Sequence, residues 1–372
     1  MKVLQFGKYY PPSPPGGIEV VMYNLAEGIN KEGPRCDVLC SNDNPVYSEE
    51  NYNGYTVTRT KSYGKILSTS ISPQLITKFM DINKNYDIIH VHFPDPLANI
   101  AVLLARPKSK IVLHWHSDIV RQRLLLKLYA PLMHRLMRRA DAIVTTTPTY
   151  ITCSRHLTPY EHKAVTIPIG VSTGHLAADS EKVAALKKLY NGRKIIFSLG
   201  RLIYYKGYEH LIRAAMELDD SYAVIIGGEG PLKDRLNSMI KSLGLDGRVF
   251  LPGRISDEQL GSYYEACDLF CLPSVERSEA FGIVIVEAMS FGKPVVATKL
   301  AGVGWVNQHG VTGINVEPGK AAELANAIKL ILTGMEMYNR FSINCRERFI
   351  NFFTREKMAQ AAIKLYEKLL GI

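Results

Sequence analysis

The sequence predicts an α/β protein: two Rossmann-like domains, each a parallel sheet with helices on both faces, facing each other across a cleft. Three observations carry this expectation. Short β-branched, apolar runs alternate with helix-period stretches almost from end to end, the order expected of βαβ units. The alternation breaks once, at the connector GVSTGHLAAD, and then restarts. The chain has 372 residues, which suits two domains of about 150–200 residues each better than one core.

In the first domain, residues 1–172, strands are read at VLQF (3–6), DVLC (37–40), YTVT (55–58), DIIHVH (87–92), IVLHW (111–115), AIVTT (142–146) and VTIPI (165–169). Helical patterns fall around 18–32, 74–84, 96–106 and 119–139. In the second, residues 185–355, strands are read at IIFSLG (195–200), AVIIGG (223–228), RVFLPG (248–253), LFCLPS (269–274) and PVVAT (294–298), with helices between them. A closing segment, 356–372, carries a final helix that is free to pack back on the first domain.

One segment sets propensity against topology. GIVIV, inside SEAFGIVIVEAM, has the β-branched run of a strand. Parallel neighbours LFCLPS and PVVAT nevertheless need a crossover, and no other segment is available to make it. GIVIVEAMSFG is therefore expected to be a buried helix, stopped near Gly292.

Composition narrows the classes. Apolar residues make up 47% and charged residues 22%, and no run approaches the roughly 18 apolar residues of a membrane span. The opening MKVLQFGKYYPP has too short an apolar core for a signal peptide, so a cytoplasmic protein is expected. The six cysteines include two C-x3-C pairs, Cys36/Cys40 and Cys267/Cys271, without the histidines of a zinc pattern. They are expected to be reduced core residues, and no metal site is expected.

The net charge of +10 is uneven: residues 1–172 hold 20 Lys/Arg against 13 Asp/Glu, and the rest 25 against 22. Arg121, Arg123, Lys127, Arg135, Arg138 and Arg139 lie on one amphipathic stretch with leucines at roughly helical spacing. It is either a packed helix with a solvated basic face or a contact for anionic lipid or a phosphorylated acceptor. Nucleic acid is not expected, since no aromatic-rich basic groove or recognition motif accompanies the charge.

Ligands of open parallel sheets bind beyond the carboxyl ends of the strands, and the informative residues follow strands. The first strand leads through a proline-rich loop to Gly16 and Gly17 and a helix carrying Glu19 in its first turn, where backbone amides can approach an anion. HWHSD places His114 and His116 on one face of a strand end, with Asp118 able to orient His116 or cap the next helix. SLGRLIYYKG supplies Arg201 and Lys206, a guanidinium fork and a point charge suited to a pyrophosphate. Gly228, Glu229 and Gly230, then Gly253 and Arg254, form further strand exits whose backbone can meet a planar base. If GIVIV is helical, the amides of Phe281, Gly282 and Ile283 open a phosphate site. Glu279 then lies before that site, and Glu287 lies about 7.5 Å along the helix from Gly282. Carboxylate, anion site and carboxylate match a nucleotide sugar: hexose, diphosphate, ribose.

At these residues the chain resembles a known family. The G-G-x-E, H-x-H-x-D, G-R-x4-K and E-x7-E segments occur in this order from Gly16 to Glu287. Together they resemble retaining glycosyltransferases of family 4 with the GT-B fold, of the bacterial cell-surface polysaccharide and lipopolysaccharide type. The resemblance implies that Glu279 binds sugar hydroxyls, Glu287 the ribose, and His116 the donor sugar near the reacting carbon. It implies that Arg201 and Lys206 neutralise the leaving diphosphate and that the Gly16 and Gly17 amides approach it. With no D-x-D triplet in the chain, the resemblance implies a metal-independent enzyme without a cofactor, using a GDP- or UDP-sugar as co-substrate. A saccharide or polyprenyl-diphosphate-linked acceptor and peripheral contact with the anionic inner membrane go with it. Arg277, two residues before Glu279, departs from the pattern and could tune sugar choice.

Two rivals remain at this level: a GT-B-like sugar-nucleotide 2-epimerase, and a non-enzymatic membrane-surface protein relying on the basic helix. The missing G-x-G-x-x-G weakens a dinucleotide oxidoreductase.

Overall fold

The computed structural model describes residues 1–12, 16–66, 69–118, 123–174 and 176–372, with the backbone alone over 123–127. The chain divides into two compact units, Met1–Gly170 with Phe352–Ile372, and Val171–Asn351.

The first unit alternates strands and helices: β1 (Lys2–Phe6), α1 (Gly17–Glu32), β2 (Arg35–Ser41), β3 (Ser48–Tyr52), β4 (Tyr55–Thr60), a small pair β5 (Lys65–Ile66) and β6 (Thr69–Ser70), and α2 (Pro73–Ile82). It continues with β7 (Ile88–Phe93), α3 (Pro96–Ala105), β8 (Lys110–Trp115), α4 (Arg123–Arg139), β9 (Ala142–Thr145), α5 (Pro148–Cys153) and β10 (Ala164–Thr166). The main sheet runs β10-β9-β8-β7-β1-β2-β4-β3. Every neighbouring pair is parallel except β3 with β4. Every residue of β7 is buried, as a central strand covered on both faces must be.

The chain's last helix, Arg355–Leu370, belongs to this unit. It lies on α1 so closely that a Cβ on Gly28 would come 2.8 Å from that of Ala359. Arg355 Nε donates to Asn24 Oδ1 at 2.9 Å, and the helix starts under a cap in which Thr354 Oγ1 accepts from the Lys357 amide at 3.2 Å.

The second unit begins with α6 (Ser180–Leu189) and runs β11 (Lys194–Leu199), α7 (Tyr208–Ala215), β12 (Tyr222–Gly227), α8 (Lys233–Ser242), β13 (Val249–Gly253), α9 (Asp257–Ala266), β14 (Leu269–Leu272) and α10 (Ile283–Ser290). Then come β15 (Val295–Thr298), α11 (Ala301–Val306), β16 (Gly313–Val316), α12 (Ala321–Thr333) and α13 (Met335–Arg348), which leaves Arg355–Leu370 as α14. The sheet order is β13-β12-β11-β14-β15-β16, parallel throughout.

GIVIV is helical: α10 begins at Ile283 after Gly282 in the left-handed region (φ 80°, ψ 61°), a conformation that disfavours any residue with a Cβ. The elements the sequence reading passed over are polar or short. β3, SEENY, is a largely exposed edge hairpin strand, and β16, GINV, has four residues. The run expected at 165–169 pairs only over Ala164–Thr166.

In each unit the strand order turns at one place, between β1 and β7 and between β11 and β14. Strands leaving such a point diverge above the sheet and open a crevice at their carboxyl ends.

Candidate active site

In the second unit, the loop leaving β11 and the loop leaving β14 meet at a buried ion pair. Lys206 Nζ lies 2.6 Å from Glu279 Oε2, and each side chain keeps only 11% of its surface. Ser274 Oγ donates to the same carboxylate oxygen at 3.1 Å. Lys206 ends a short 3-10 turn (Tyr204–Lys206) closed by Gly207, and the Val275 amide donates to the Tyr205 carbonyl at 2.8 Å, tying the two loops together. Tyr204 OH also bonds Glu276. Arg201, on the same β11 exit, is exposed, and among the described residues its guanidinium has no ion-pair partner. Arg277 is exposed beside the pair.

The start of α10 lies next in chain order. The amide of Ile285 donates to the Gly282 carbonyl at 2.8 Å, which closes the first turn of the helix on the glycine that begins it. A Cβ on Gly302, in α11, would collide with the Ala280 carbonyl; α11 thus presses on the loop from behind. Phe281 is buried and anchors the turn. On α10, Glu287 Oε2 accepts from Tyr264 OH at 2.6 Å. Burial pushes the Glu287 carboxyl up to about 7, against the pull of that hydrogen bond.

The glycines at the β12 exit also pack against backbone. Gly228 and Gly230 are backbone-packing residues: a Cβ on either would collide with the carbonyls of Gly200 and Leu202 respectively. They lock the β12 exit to the β11 exit. Gly253 has positive φ (84°) at the end of β13, with Glu229 Oε1 and Lys233 Nζ about 4 Å from where its Cβ would stand. Arg254 after it is exposed.

In the first unit, His116 follows β8 and continues the ladder through its amide to the Phe93 carbonyl (3.1 Å). Its ring is buried and bonded, Nε2 to His92 Nδ1 at 2.8 Å, and it stacks on His114 with centroids 4.1 Å apart. Burial, with the neighbouring imidazoles, holds the His116 and His92 rings well below the usual histidine range. Asp118 does not orient His116. Its Oδ1 accepts from Trp115 Nε1 at 3.0 Å and Ser154 Oγ at 2.8 Å, so it braces the β8 exit instead, and the helix start it could cap lies outside the described residues.

Gly16 caps α1 in extended backbone (φ −107°). A Cβ there would strike the Glu19 carboxylate, so Glu19 itself covers the end of the helix where an anion was expected. Burial raises the Glu19 carboxyl above its ordinary range.

Lys8, Asp95, Gln5 and His92 were missed by the sequence reading. Lys8 follows β1, and burial lowers its ammonium against the opposing pull of Asp95 and Glu19. Asp95 caps α3 through Oδ1, while its buried Oδ2 has no partner among the described residues. The signal was available: HVHFPD leaves β7 as HWHSD leaves β8. His90, His92 and His114 form a group with nitrogens within 4.8 Å of one another, but each already bonds another ring, a tyrosine or a glutamine.

Of the basic stretch, Arg121 and the side chains of Arg123 and Lys127 lie outside the described residues. Arg135 and Arg138 are exposed on α4, as is Leu128. Arg139 departs from the expected surface set: its guanidinium binds Asp141 and the carbonyls of Pro107 and Ser109, closing a loop.

Residues 15–175 match the family model Glycosyltransferase Family 4, and residues 179–348 match Glycosyl transferases group 1. The O-antigen chain mannosyltransferase C of Escherichia coli is 34% identical over 371 residues, covering 100% of this chain and 99% of that one. The chain belongs to the family 4 glycosyltransferases. This glycosyltransferase is also 32% identical over 356 residues to the D-rhamnosyltransferase WbpZ of Pseudomonas aeruginosa, covering 95% and 92% of the two chains. The fold of the glycosyltransferase is GT-B. It matches HepE of Anabaena in complex with UDP (TM-score 0.80, 21% identity, 99% and 100% covered). It also matches the sucrose-phosphate synthase of Thermosynechococcus elongatus (TM-score 0.83, 22% identity, 100% of each chain). No helix among its described residues is long and apolar enough to cross a membrane.

Proposed function

We propose that this glycosyltransferase moves a hexose from a nucleotide diphosphate sugar to a saccharide or polyprenyl-diphosphate-linked acceptor in O-antigen-type polysaccharide synthesis. Transfer proceeds with retention at the anomeric carbon and without a metal ion. GDP-mannose is the favoured donor over UDP-hexoses. The observation that carries this is the end-to-end similarity, at 34% identity, to an O-antigen chain mannosyltransferase.

The site chemistry supports it. As the bond from sugar to diphosphate breaks, negative charge grows on the leaving oxygens. Lys206, held by Glu279 at 2.6 Å, keeps further N–H donors for that charge, and the exposed Arg201 offers a planar fork. These two cations stand where a divalent ion would otherwise act. The first-turn amides of α10, at Phe281, Gly282 and Ile283, bind a phosphate. Glu279 accepts from sugar hydroxyls through its remaining lone pairs, Glu287 accepts from the ribose hydroxyls, and the backbone at Gly253 and Arg254 lies against the base. His116 is assigned to the transferred sugar, and Gly16 and Gly17 to the diphosphate once the Glu19 carboxylate moves off the helix start. The exposed Arg135, Arg138 and Leu128 on α4 support peripheral attachment to the cytoplasmic face of an anionic membrane.

The test is turnover of GDP-mannose, UDP-glucose and UDP-N-acetylglucosamine with a mannose-terminated lipid-linked acceptor, with and without EDTA. An α-linked mannosyl product, formed equally with EDTA, is expected. A β-linked product, loss of activity in EDTA, or epimerised donor without transfer would overturn the corresponding part.

A further inference from the structure

We infer that Gln5 and His92 are positioning residues that fix the ring tautomer of His116, leaving its Nδ1 as a lone-pair acceptor. The inference rests on the reading of His116 as a contact to the transferred sugar.

Three adjacent parallel strands build the chain of contacts. Gln5 on β1 stands opposite His90 on β7, and His92 stands opposite His114 on β8. Alternation puts Gln5, His90, His92, His114 and His116 on one face. His92 and His116 occupy its carboxyl end, beside the point where the strand order turns. Gln5 Oε1 lies 2.7 Å from His92 Nε2, and His92 Nδ1 lies 2.8 Å from His116 Nε2. All three side chains are buried.

The donor sequence then follows from valence. A carbonyl oxygen only accepts, so His92 carries its hydrogen on Nε2. A neutral imidazole has one N–H, so His92 Nδ1 must accept, and His116 must donate through Nε2–H. His116 in turn is neutral, so its Nδ1 keeps an unshared pair. Burial of the rings keeps both neutral through the physiological range. Stacking holds the plane: His116 lies 4.1 Å from His114 at 15° and 5.1 Å from His92 at 9°.

The consequence is chemical selectivity. A ring presenting a lone pair receives a hydroxyl hydrogen of a sugar and repels phosphate oxygens, whereas a ring presenting N–H would donate to a hydroxyl or a phosphate oxygen alike. A parallel contact runs from Tyr366 OH to His90 Nδ1 (2.6 Å) and from His90 Nε2 to His114 Nδ1 (3.0 Å). That row ends on His114 and buttresses the stack from the α14 side. The opposite orientation of the Gln5 amide would reverse every donor in the Gln5–His92–His116 row, which makes the polarity measurable.

The experiment is ¹⁵N NMR of histidine-labelled full-length protein, paired with kinetics. The expected result is a protonated Nε2 and a lone-pair Nδ1 at both His92 and His116. A protonated Nδ1 at His116 would overturn the inference whatever the kinetics. His92→Phe keeps a ring for stacking and removes the nitrogens; the lost buried hydrogen bond is expected to lower kcat about 10–100-fold with donor KM within about twofold. His92→Gln, which can still accept from His116, should recover part of the loss. Full kcat in His92→Phe, alongside a large loss in His116→Ala, would overturn the positioning role alone. Full kcat in His116→Ala would instead remove the sugar contact from the proposed function, while the NMR result still decides the tautomer. Should a variant fail to fold, the wild-type spectrum carries the test.

Discussion

Replacing Lys206 by Met probes the buried ion pair and the proposed chemistry together. Lys206 and Glu279 are 2.6 Å apart, and each retains about a tenth of its surface. Removing the ammonium leaves a carboxylate in a site poor in water. Breaking a buried pair in this way costs about 3–5 kcal/mol. The lower end, about 3 kcal/mol, applies here because Ser274 Oγ still donates to Glu279. For a unit of about 180 residues, each kcal/mol moves the melting temperature by about 2–4 °C, so a fall of about 6–12 °C is expected. The double variant Lys206→Met/Glu279→Gln removes both charges and should recover part of that loss, giving a non-additive cycle. Differential scanning calorimetry of the four proteins measures it. Activity should fall further than stability explains, by about 10²–10³ in kcat at temperatures where the variant is folded, since a donor to developing charge is gone. A melting shift under 2 °C, or strictly additive effects, would refute the description of the pair as buried and mutually dependent.

Further predictions concern neighbouring residues. The Glu287 carboxyl has a folded value of about 7, above its unfolded value, so its contribution to stability is complete below about pH 4.5 and is lost as pH rises through 7. Glu287→Gln should therefore gain on the wild type as pH rises from about 4.5 to above 7, by up to about 3 kcal/mol in all and by about 1.4 kcal/mol of that between pH 6 and pH 8, read as the change in melting-temperature difference across that range. Over the same window wild-type donor KM should fall as the carboxylate forms, and the variant's should stay flat. Gly302→Ala, whose methyl would collide with the Ala280 carbonyl, should displace the loop before α10 and raise donor KM, which isothermal titration with GDP would detect. Tyr366→Phe removes the hydrogen bond to His90 (2.6 Å) and should cost about 1 kcal/mol in urea unfolding, with donor KM unchanged. Arg135→Glu/Arg138→Glu should abolish sedimentation with anionic vesicles without changing turnover of a soluble acceptor; unchanged sedimentation would remove membrane contact from α4.

Much of the fold and part of the candidate site could be read without coordinates, because both depend on local pattern. Alternating apolar runs and helix-period stretches determined two parallel-sheet units, and the rule that parallel neighbours need a crossover made GIVIV a helix despite its β-branched residues. Strand exits pointed to Arg201, Lys206, Glu279 and Glu287, since chemistry at open sheets gathers at carboxyl ends. Contacts between residues far apart in the chain carry no local signature, and these only the tertiary structure decided. Lys206 and Glu279, 73 positions apart, became one ion pair. Gly228 and Gly230 proved to be glycines because neighbouring carbonyls press on them, and Asp118 turned to Trp115 instead of His116. Gln5, His92 and His116 formed a single row because three strands distant in sequence are adjacent in the sheet. Sequence specifies which side chains can donate, accept or carry charge; only packing specifies which of them are within 3 Å of one another and shielded from water.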